Sequence, residues 1–244
     1  MELAITQVPF WLSILFILAF TIPVWLIAST ARTAYRNAGK PEKQAQLIYQ
    51  RTLLFYTCFL GLIALVSLSG FFEQNTLPPR ILVSGALPLL LFYFLYVWRS
   101  SWFKVIFTHA SLAALVSIHL FRFIGIFFLL AYQYGALPRT FALVGGIGDI
   151  LTAILAIPLI YALRQKRSYA HLFAWIWSLI GLADIISVLR TAVVLTQASI
   201  ETDAIGVAQF GTFPFSWIPA FAPATIIFLH VVIVVKLAQE TKAA

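Results

Sequence analysis

Seven long apolar stretches, separated by short polar connections, run along the whole of this sequence. Each is about long enough to cross the ~30 Å hydrocarbon core of a bilayer as an α-helix. We therefore predict an all-α protein, a polytopic membrane bundle of seven transmembrane helices that forms one domain over residues 1–244. The expected spans are residues 9–29, 52–72, 81–98, 111–134, 140–162, 172–195 and 214–236.

The composition supports the same class. Hydrophobic residues make up 62% of the chain and charged residues only 10%, whereas a soluble domain carries about 25% charged residues. A soluble protein of 244 residues could not bury so much apolar surface. We therefore exclude a soluble globular enzyme, and we expect membrane lipids to be partners of the chain.

The basic residues predict the orientation of the bundle. Most of the 16 lie in the connections after spans one, three and five or in the C-terminal tail, and only Arg80 and Arg139 lie in connections on the other side. Short loops rich in Lys and Arg stay in the cytoplasm, so we expect the N-terminus outside and the C-terminus inside. The basic set comprises Arg32, Arg36, Lys40, Lys43, Arg51, Arg99, Lys104, Arg164, Lys166, Arg167, Lys236 and Lys242.

The net charge of +8 has the same explanation. The basic residues are spread over several short loops, as membrane insertion requires, and anionic lipid head groups attract them. We therefore expect no nucleic-acid partner. A retinal protein is also excluded, because its Schiff base needs a lysine near the middle of the last span, where this sequence has none.

Ionisable side chains inside the spans are the candidates for function, because each costs at least about 2.5–3.5 kcal/mol to insert. His119 and Arg122 lie three residues apart on span four and share a helix face. Asp149 lies on a face of small residues on span five, and Asp184 lies on a similar face of span six with Gly181, Ser187 and Thr191. His230 lies on span seven, on the same side as Pro219 and Pro223.

We expect Arg122 to pair with Asp149, Asp184 or both, near the middle of the membrane, with His119 and His230 in a second layer nearer the cytoplasm. Arg190 balances the formal charges within the spans, although it lies closer to the outside and can reach the interface. Such a cluster can serve only to fix helix register. Its several polar groups also suit an ion- or substrate-binding site.

The second half of the chain resembles an uncharacterised family of bacterial seven-helix membrane proteins. The resemblance covers roughly residues 111–237 and implies a bacterial inner-membrane location and a single seven-span domain, with no activity attached. It rests on Arg122-x-x-Gly125, Gly135-Ala-Leu-Pro138, Phe141-Ala-Leu, Gly145-Gly-Ile-Gly-Asp149, Gly181-Leu-Ala-Asp184, Pro214-Phe-Ser-Trp-Ile-Pro219 and Leu229-His230.

Four functions fit these residues. The cluster is structural, or it belongs to a small transporter or ion pathway in which Asp149 and Asp184 bind a proton or cation and Arg122 holds a carboxylate or an anionic substrate. Alternatively, His119 and His230 hold a metal with Asp149 or Asp184 in an intramembrane enzyme, or the two histidines alone bind haem. Binding of lipid or a partner protein without turnover is the fourth. The sequence identifies no cofactor.

The sequence also allows predictions for two segments outside the central part of the spans. Residues 101–109 combine several aromatic and aliphatic side chains with Lys104, which predicts a short interfacial approach to span four. Residues 196–213 form the longest connection on the outer side. This connection either folds over the bundle or lies in solvent.

Overall fold

The structure, a computed structural model, describes residues 8–202, 204 and 206–243, the side chains of 241–243 excepted. Within these ranges the chain forms helices and connections and no strand, which confirms the all-α class. The α-helices are α1 (Phe10–Asn37), α2 (Glu42–Leu68), α3 (Leu87–Phe92), α4 (Ser101–His109), α5 (Leu112–Ile118), α6 (Ile126–Gln133), α7 (Arg139–Arg164), α8 (Ala170–Thr202) and α9 (Trp217–Ala243).

Six helical segments of the described chain are long and apolar enough to cross a membrane, which fits a membrane protein. They are α1, α2, the run Leu112–Gln133, α7, α8 and the run Trp217–Glu240. The remaining expected span, 81–98, is the helical run Leu82–Val97, which bends by 90° into α4. The bundle therefore has seven spans when this bent pair counts as one. Large apolar side chains cover its outer surface, as lipid contact requires.

Two of the spans form the centre of the bundle. In the most apolar 18-residue stretch of each span, 67% of the residues of Leu112–Gln133 and 72% of those of Trp217–Glu240 are buried inside the protein. The corresponding share is 39% or less in the other four spans. Ionisable residues on these two segments are therefore shielded from lipid by their neighbours. Arg122, His119 and His230 all lie on them.

Span four is not a uniform α-helix. Between α5 and α6 the chain tightens into a 3₁₀ helix over His119–Gly125. A 3₁₀ helix has three residues per turn, so side chains three apart lie directly above one another. His119, Arg122 and Gly125 therefore form one straight row, where a regular α-helix would have spread them around its face.

Span three also departs from α geometry. Wide π-helical turns at Leu82–Ala86 and Tyr93–Val97 flank α3, and the last of them closes with a hydrogen bond from Trp98 N to the Tyr93 carbonyl at 2.8 Å. The Ser100 hydroxyl then accepts a bond from Phe103 N and caps α4. The short helix expected at 101–109 is thus present, directly after the bend.

The helices alternate in direction, which places the connections at two ends. The basic end carries connections 38–41, 98–100 and 165–169 and the end of α9, and the opposite end carries connections 69–81, 134–138 and 203–216. Most basic residues lie at the basic end, where Arg32 and Arg36 both bind Glu42 at 2.6 Å. The side chain of Lys242 lies outside the described part. Which end faces the cytoplasm stays a prediction.

The expected loop at 196–213 is mostly not a solvated connection. Helix α8 continues to Thr202, and residues 203 and 205 lie outside the described part. Phe210 is only 3% exposed and packs on the rings of Phe128 and Phe141. Ser67 on α2 donates a hydrogen bond of 2.6 Å to the Gly211 carbonyl. The expectation of a loop in solvent is therefore wrong for this part, which folds over the opposite end.

Candidate functional site

Arg122 lies at the centre of a buried ion-pair cluster. Its Nε donates to Asp149 Oδ1 at 2.6 Å, its Nη2 donates to Asp184 Oδ2, and its Nη1 donates to the Gly181 carbonyl at 3.4 Å. The arginine side chain is 0% exposed and the two carboxylates 8% and 10%. The structure thus pairs Arg122 with both aspartates, the more complete of the arrangements expected from the sequence.

Glycine residues make room for this cluster. A Cβ atom at Gly148 on α7 would collide with the Asp184 carboxylate, and one at Gly181 on α8 would collide with the His230 ring and lie 3.1 Å from Arg122 Nη1. The missing side chain at Gly181 also leaves its backbone carbonyl open to Arg122. The Gly148-Asp149 pair of α7 and the Gly181-x-x-Asp184 pattern of α8 therefore have a direct steric cause.

The two histidines form a ring cluster beside Arg122. The rings of His119 and His230 lie 4.3 Å apart between centroids, and Trp177 on α8 packs on both at 4.9 Å. Both histidines are fully buried, and neither ring nitrogen of either one has a hydrogen-bond partner among the described residues. A buried polar atom without a partner costs about 1–3 kcal/mol, so the histidine pair does not contribute to stability through hydrogen bonds among the described residues.

The cluster does not balance its own charge. Arg190, which the sequence counted against Asp184, is exposed on α8 and forms no ion pair with the described residues. Arg122 therefore faces two carboxylates alone, and the cluster carries one negative charge too many unless it binds a proton or a cation. Of the two positions expected for Arg190, the structure thus shows the one away from the cluster.

One predicted helix face also needs correction. Gly181 and Asp184 face the cluster as expected, but Ser187 is exposed and Thr191 is only half-buried. Ser187 donates its hydroxyl proton to the Asp184 carbonyl and Thr191 donates to the Ser187 carbonyl. Because both hydroxyls are satisfied on their own helix, these residues can face lipid without cost.

Trp177 is a neighbour of the candidate site that the sequence analysis did not identify. It is fully buried, and its indole nitrogen donates to the Thr152 carbonyl at 3.0 Å. Its ring closes the histidine pair from one side. The spacing of Trp177 four residues before Gly181 placed it one turn from the cluster, which is the only sequence signal for this contact.

The described part of the chain encloses two cavities, of which only the smaller reaches the cluster. A small one of about 50 Å³ reaches Asp149 and is lined towards the opposite end by Phe210, Pro219 and Pro223; it has room for a few water molecules. A large one of about 660 Å³ lies towards the basic end and is lined by none of the five candidate residues.

The geometry does not favour a metal or haem. The described residues contain no group of three or more His, Cys, Asp or Glu side chains placed to hold a metal ion. Two axial histidines must place their nitrogens about 4 Å apart on opposite faces of a haem, since each Fe–N bond takes about 2 Å. His119 and His230, with centroids 4.3 Å apart, leave no such space between their rings.

Comparison with known protein families shows to which family the chain belongs. Residues 77–238, more than half of the protein, match the family described as a domain of unknown function, DUF8737. The chain belongs to this family. The DUF8737 region runs from just before span three to near the end of α9 and contains all five candidate residues. No curated protein and no solved structure matches the chain. An uncharacterised family was expected from the sequence; its bacterial origin stays a prediction.

Proposed function

We propose that this chain is a small transporter or ion pathway of the bacterial inner membrane. Its ion- or substrate-binding site consists of Arg122, Asp149, Asp184, His119 and His230. The observation that carries the proposal is the excess carboxylate: one buried arginine serves two buried aspartates. A site with one negative charge too many in a low-dielectric interior takes up a proton or a cation, and that uptake is the chemistry of a coupled carrier.

Access to the cluster supports the same function. The small cavity is lined by Asp149 and leads from the cluster towards the opposite end of the bundle. A carrier exposes its binding site to the two faces of the membrane in turn. In this arrangement Asp149 and Asp184 exchange the proton or cation, Arg122 orients the two carboxylates, and the histidines pass the proton towards the basic end.

Two irregular features of the spans, one in span four and one in α9, provide a place for the conformational change that a carrier needs. The 3₁₀ segment His119–Gly125 carries two of the site residues, and Pro223 lies inside α9. Irregular helices at the middle of a membrane occur where they line a site, because water or polar side chains can satisfy the freed backbone groups. We place the switch between the two access states at this contact of span four with α9.

Proton binding at the two aspartates is the first test, and it needs no knowledge of a substrate. Infrared titration of the protein in lipid should show a carboxylic-acid band that disappears as the pH rises. The band should be lost in Asp149→Asn or Asp184→Asn and kept in Asp203→Asn, which changes the third aspartate of the chain. A band that survives both Asp149→Asn and Asp184→Asn would contradict proton binding at the cluster.

Flux is the second test. In proteoliposomes that contain a pH-sensitive dye, a membrane potential should drive proton or cation entry through the wild-type protein. Asp149→Asn should fold normally and remove the flux, while Asp203→Asn should leave it unchanged. A folded Asp149→Asn protein with the wild-type flux would exclude Asp149 as the coupling group.

A further inference from the structure

The 660 Å³ cavity is a second feature of the molecule, separate from the ion-pair cluster. It lies between α1, α2, span three, α4, α5 and α9, and none of the five candidate residues lines it. Its volume falls within the range of 300–1,000 Å³ that is typical of sites for small organic ligands. The proposed ion chemistry makes no use of it.

The lining of this cavity is apolar and aromatic with polar groups at two places. Deep in the cavity, Tyr56, Tyr93 and Thr225 form a chain of hydrogen bonds of 2.9 and 3.0 Å between their hydroxyls. Nearer the basic end, Arg51 is the one charged residue among the described residues that line it, and Gln44 lies in the same wall. No carboxylate of the described chain lines the cavity, so the charge of Arg51 is not balanced there.

The mouth opens sideways between α2 and span three. Leu47 on α2 and Tyr96 at the end of span three are 43% and 59% exposed and line the cavity from its two sides. Deeper in, α2 and span three meet through the stacked rings of Phe55 and Phe92, 4.8 Å apart. A molecule can therefore enter from the lipid at the basic end without crossing the centre of the bundle.

We infer that this cavity binds a single-chain anionic amphiphile, a long-chain carboxylate, from the leaflet at the basic end. Arg51 binds the carboxylate at the mouth, where a guanidinium can hold both oxygens. The hydrocarbon chain lies along the aromatic wall, with the Tyr56–Tyr93–Thr225 chain at its far end. A single hydrocarbon chain fits into this one chamber, whereas the second chain of a phospholipid would have to stay outside.

The inference is tested by photo-labelling in nanodiscs of phosphatidylcholine. A long-chain fatty acid that carries a diazirine should label residues on the cavity wall, located by mass spectrometry of the peptides. Unlabelled oleate should compete, whereas oleyl alcohol, which has the same chain and no charge, should compete about tenfold less well, as expected for loss of a charged hydrogen bond. Equal competition by the two compounds would overturn the role of Arg51.

Matched variants test the contribution of the Arg51 charge and that of the cavity shape separately. Arg51→Gln should raise the oleate concentration needed for half-competition about tenfold, while Arg99→Gln, also at the basic end but outside the cavity wall, should leave it unchanged. Leu47→Trp should reduce labelling by narrowing the mouth, and Leu54→Trp, exposed on the same helix but outside the lining, should not. Labelling spread evenly over the outer surface in all variants would show ordinary lipid contact and overturn the inference.

Native mass spectrometry of the purified protein distinguishes the source of the ligand. Retention of one long-chain fatty acid per chain supports the inference. Retention of one phospholipid, lost in Leu47→Trp, would overturn the single-chain assignment. Both results are independent of proton binding by Asp149 and Asp184, so failure here leaves the proposed ion site unaffected.

Discussion

Replacement of Arg122 by methionine tests the central contact of the bundle. Methionine keeps most of the length of the side chain but removes the charge, so Asp149 and Asp184 lose the only basic group that binds them among the described residues. Removal of one partner from a buried ion pair costs about 3–5 kcal/mol, because it leaves an unpaired buried charge. We expect at least this loss in Arg122→Met.

The loss can be converted to a temperature. For proteins of this size, 1 kcal/mol shifts the melting temperature Tm by about 2–4 °C, so Arg122→Met should melt about 6–20 °C below the wild type. Neutralising the carboxylates as well, in Arg122→Met/Asp149→Asn/Asp184→Asn, should restore most of this difference. A buried ion cluster replaced as a whole by neutral groups of similar size is often tolerated without loss.

Thermal stability measured by size-exclusion chromatography after heating in detergent gives both values. Arg190→Met is the matched control, because Arg190 is exposed and lies outside the cluster. Its free energy of unfolding should change by no more than about 0.5 kcal/mol, as is usual for an exposed substitution. Two results would refute the reasoning: a wild-type Tm for Arg122→Met, or a triple variant no more stable than the single one.

Three further substitutions test other contacts. Gly125→Ala should destabilise the bundle by about 1–3 kcal/mol in thermal melts, because the new Cβ would lie 2.7 Å from the Gly146 carbonyl oxygen. The control Gly61→Ala, which has open space around the new Cβ, should be neutral or slightly stabilising. Tyr93→Phe should cost about 1–2 kcal/mol of unfolding free energy in the same melts by breaking both hydroxyl bonds of its chain. Lys236→Met should speed hydrogen exchange in α4, because Lys236 donates to two carbonyls at the end of that helix.

The sequence predicted the spans well because each carries its own signal. Long apolar runs and the asymmetry of basic residues are local properties, and helices satisfy their backbone groups without help from distant residues. The 90° bend after Val97 has no such signal. Ser100 caps α4 directly after the bend, and Lys236 donates to the Phe107 carbonyl at the other end of α4 from far along the chain, a contact that a single sequence does not reveal.

In the candidate site, too, some features could be predicted from local sequence signals and others depend on distant contacts. The aspartates could be paired with Arg122 from the sequence because charges inside a membrane must find one another. The row formed by His119, Arg122 and Gly125 could not be foreseen in detail, because the change to 3₁₀ geometry depends on packing against α7. The contact of Trp177 with both histidines was missed for a similar reason, since a tryptophan in an apolar span looks like any other lipid-facing or core residue.

The cluster itself argues for more than helix register. One arginine and one aspartate are enough to fix the alignment of two helices, and such a pair is neutral. Here a second carboxylate leaves a net charge, and two fully buried histidines keep four ring nitrogens without partners in the described chain. Each unpartnered nitrogen costs stability and adds nothing to register. Asp149, Asp184 and the histidines are therefore the residues to change first in a test of the proposed ion site.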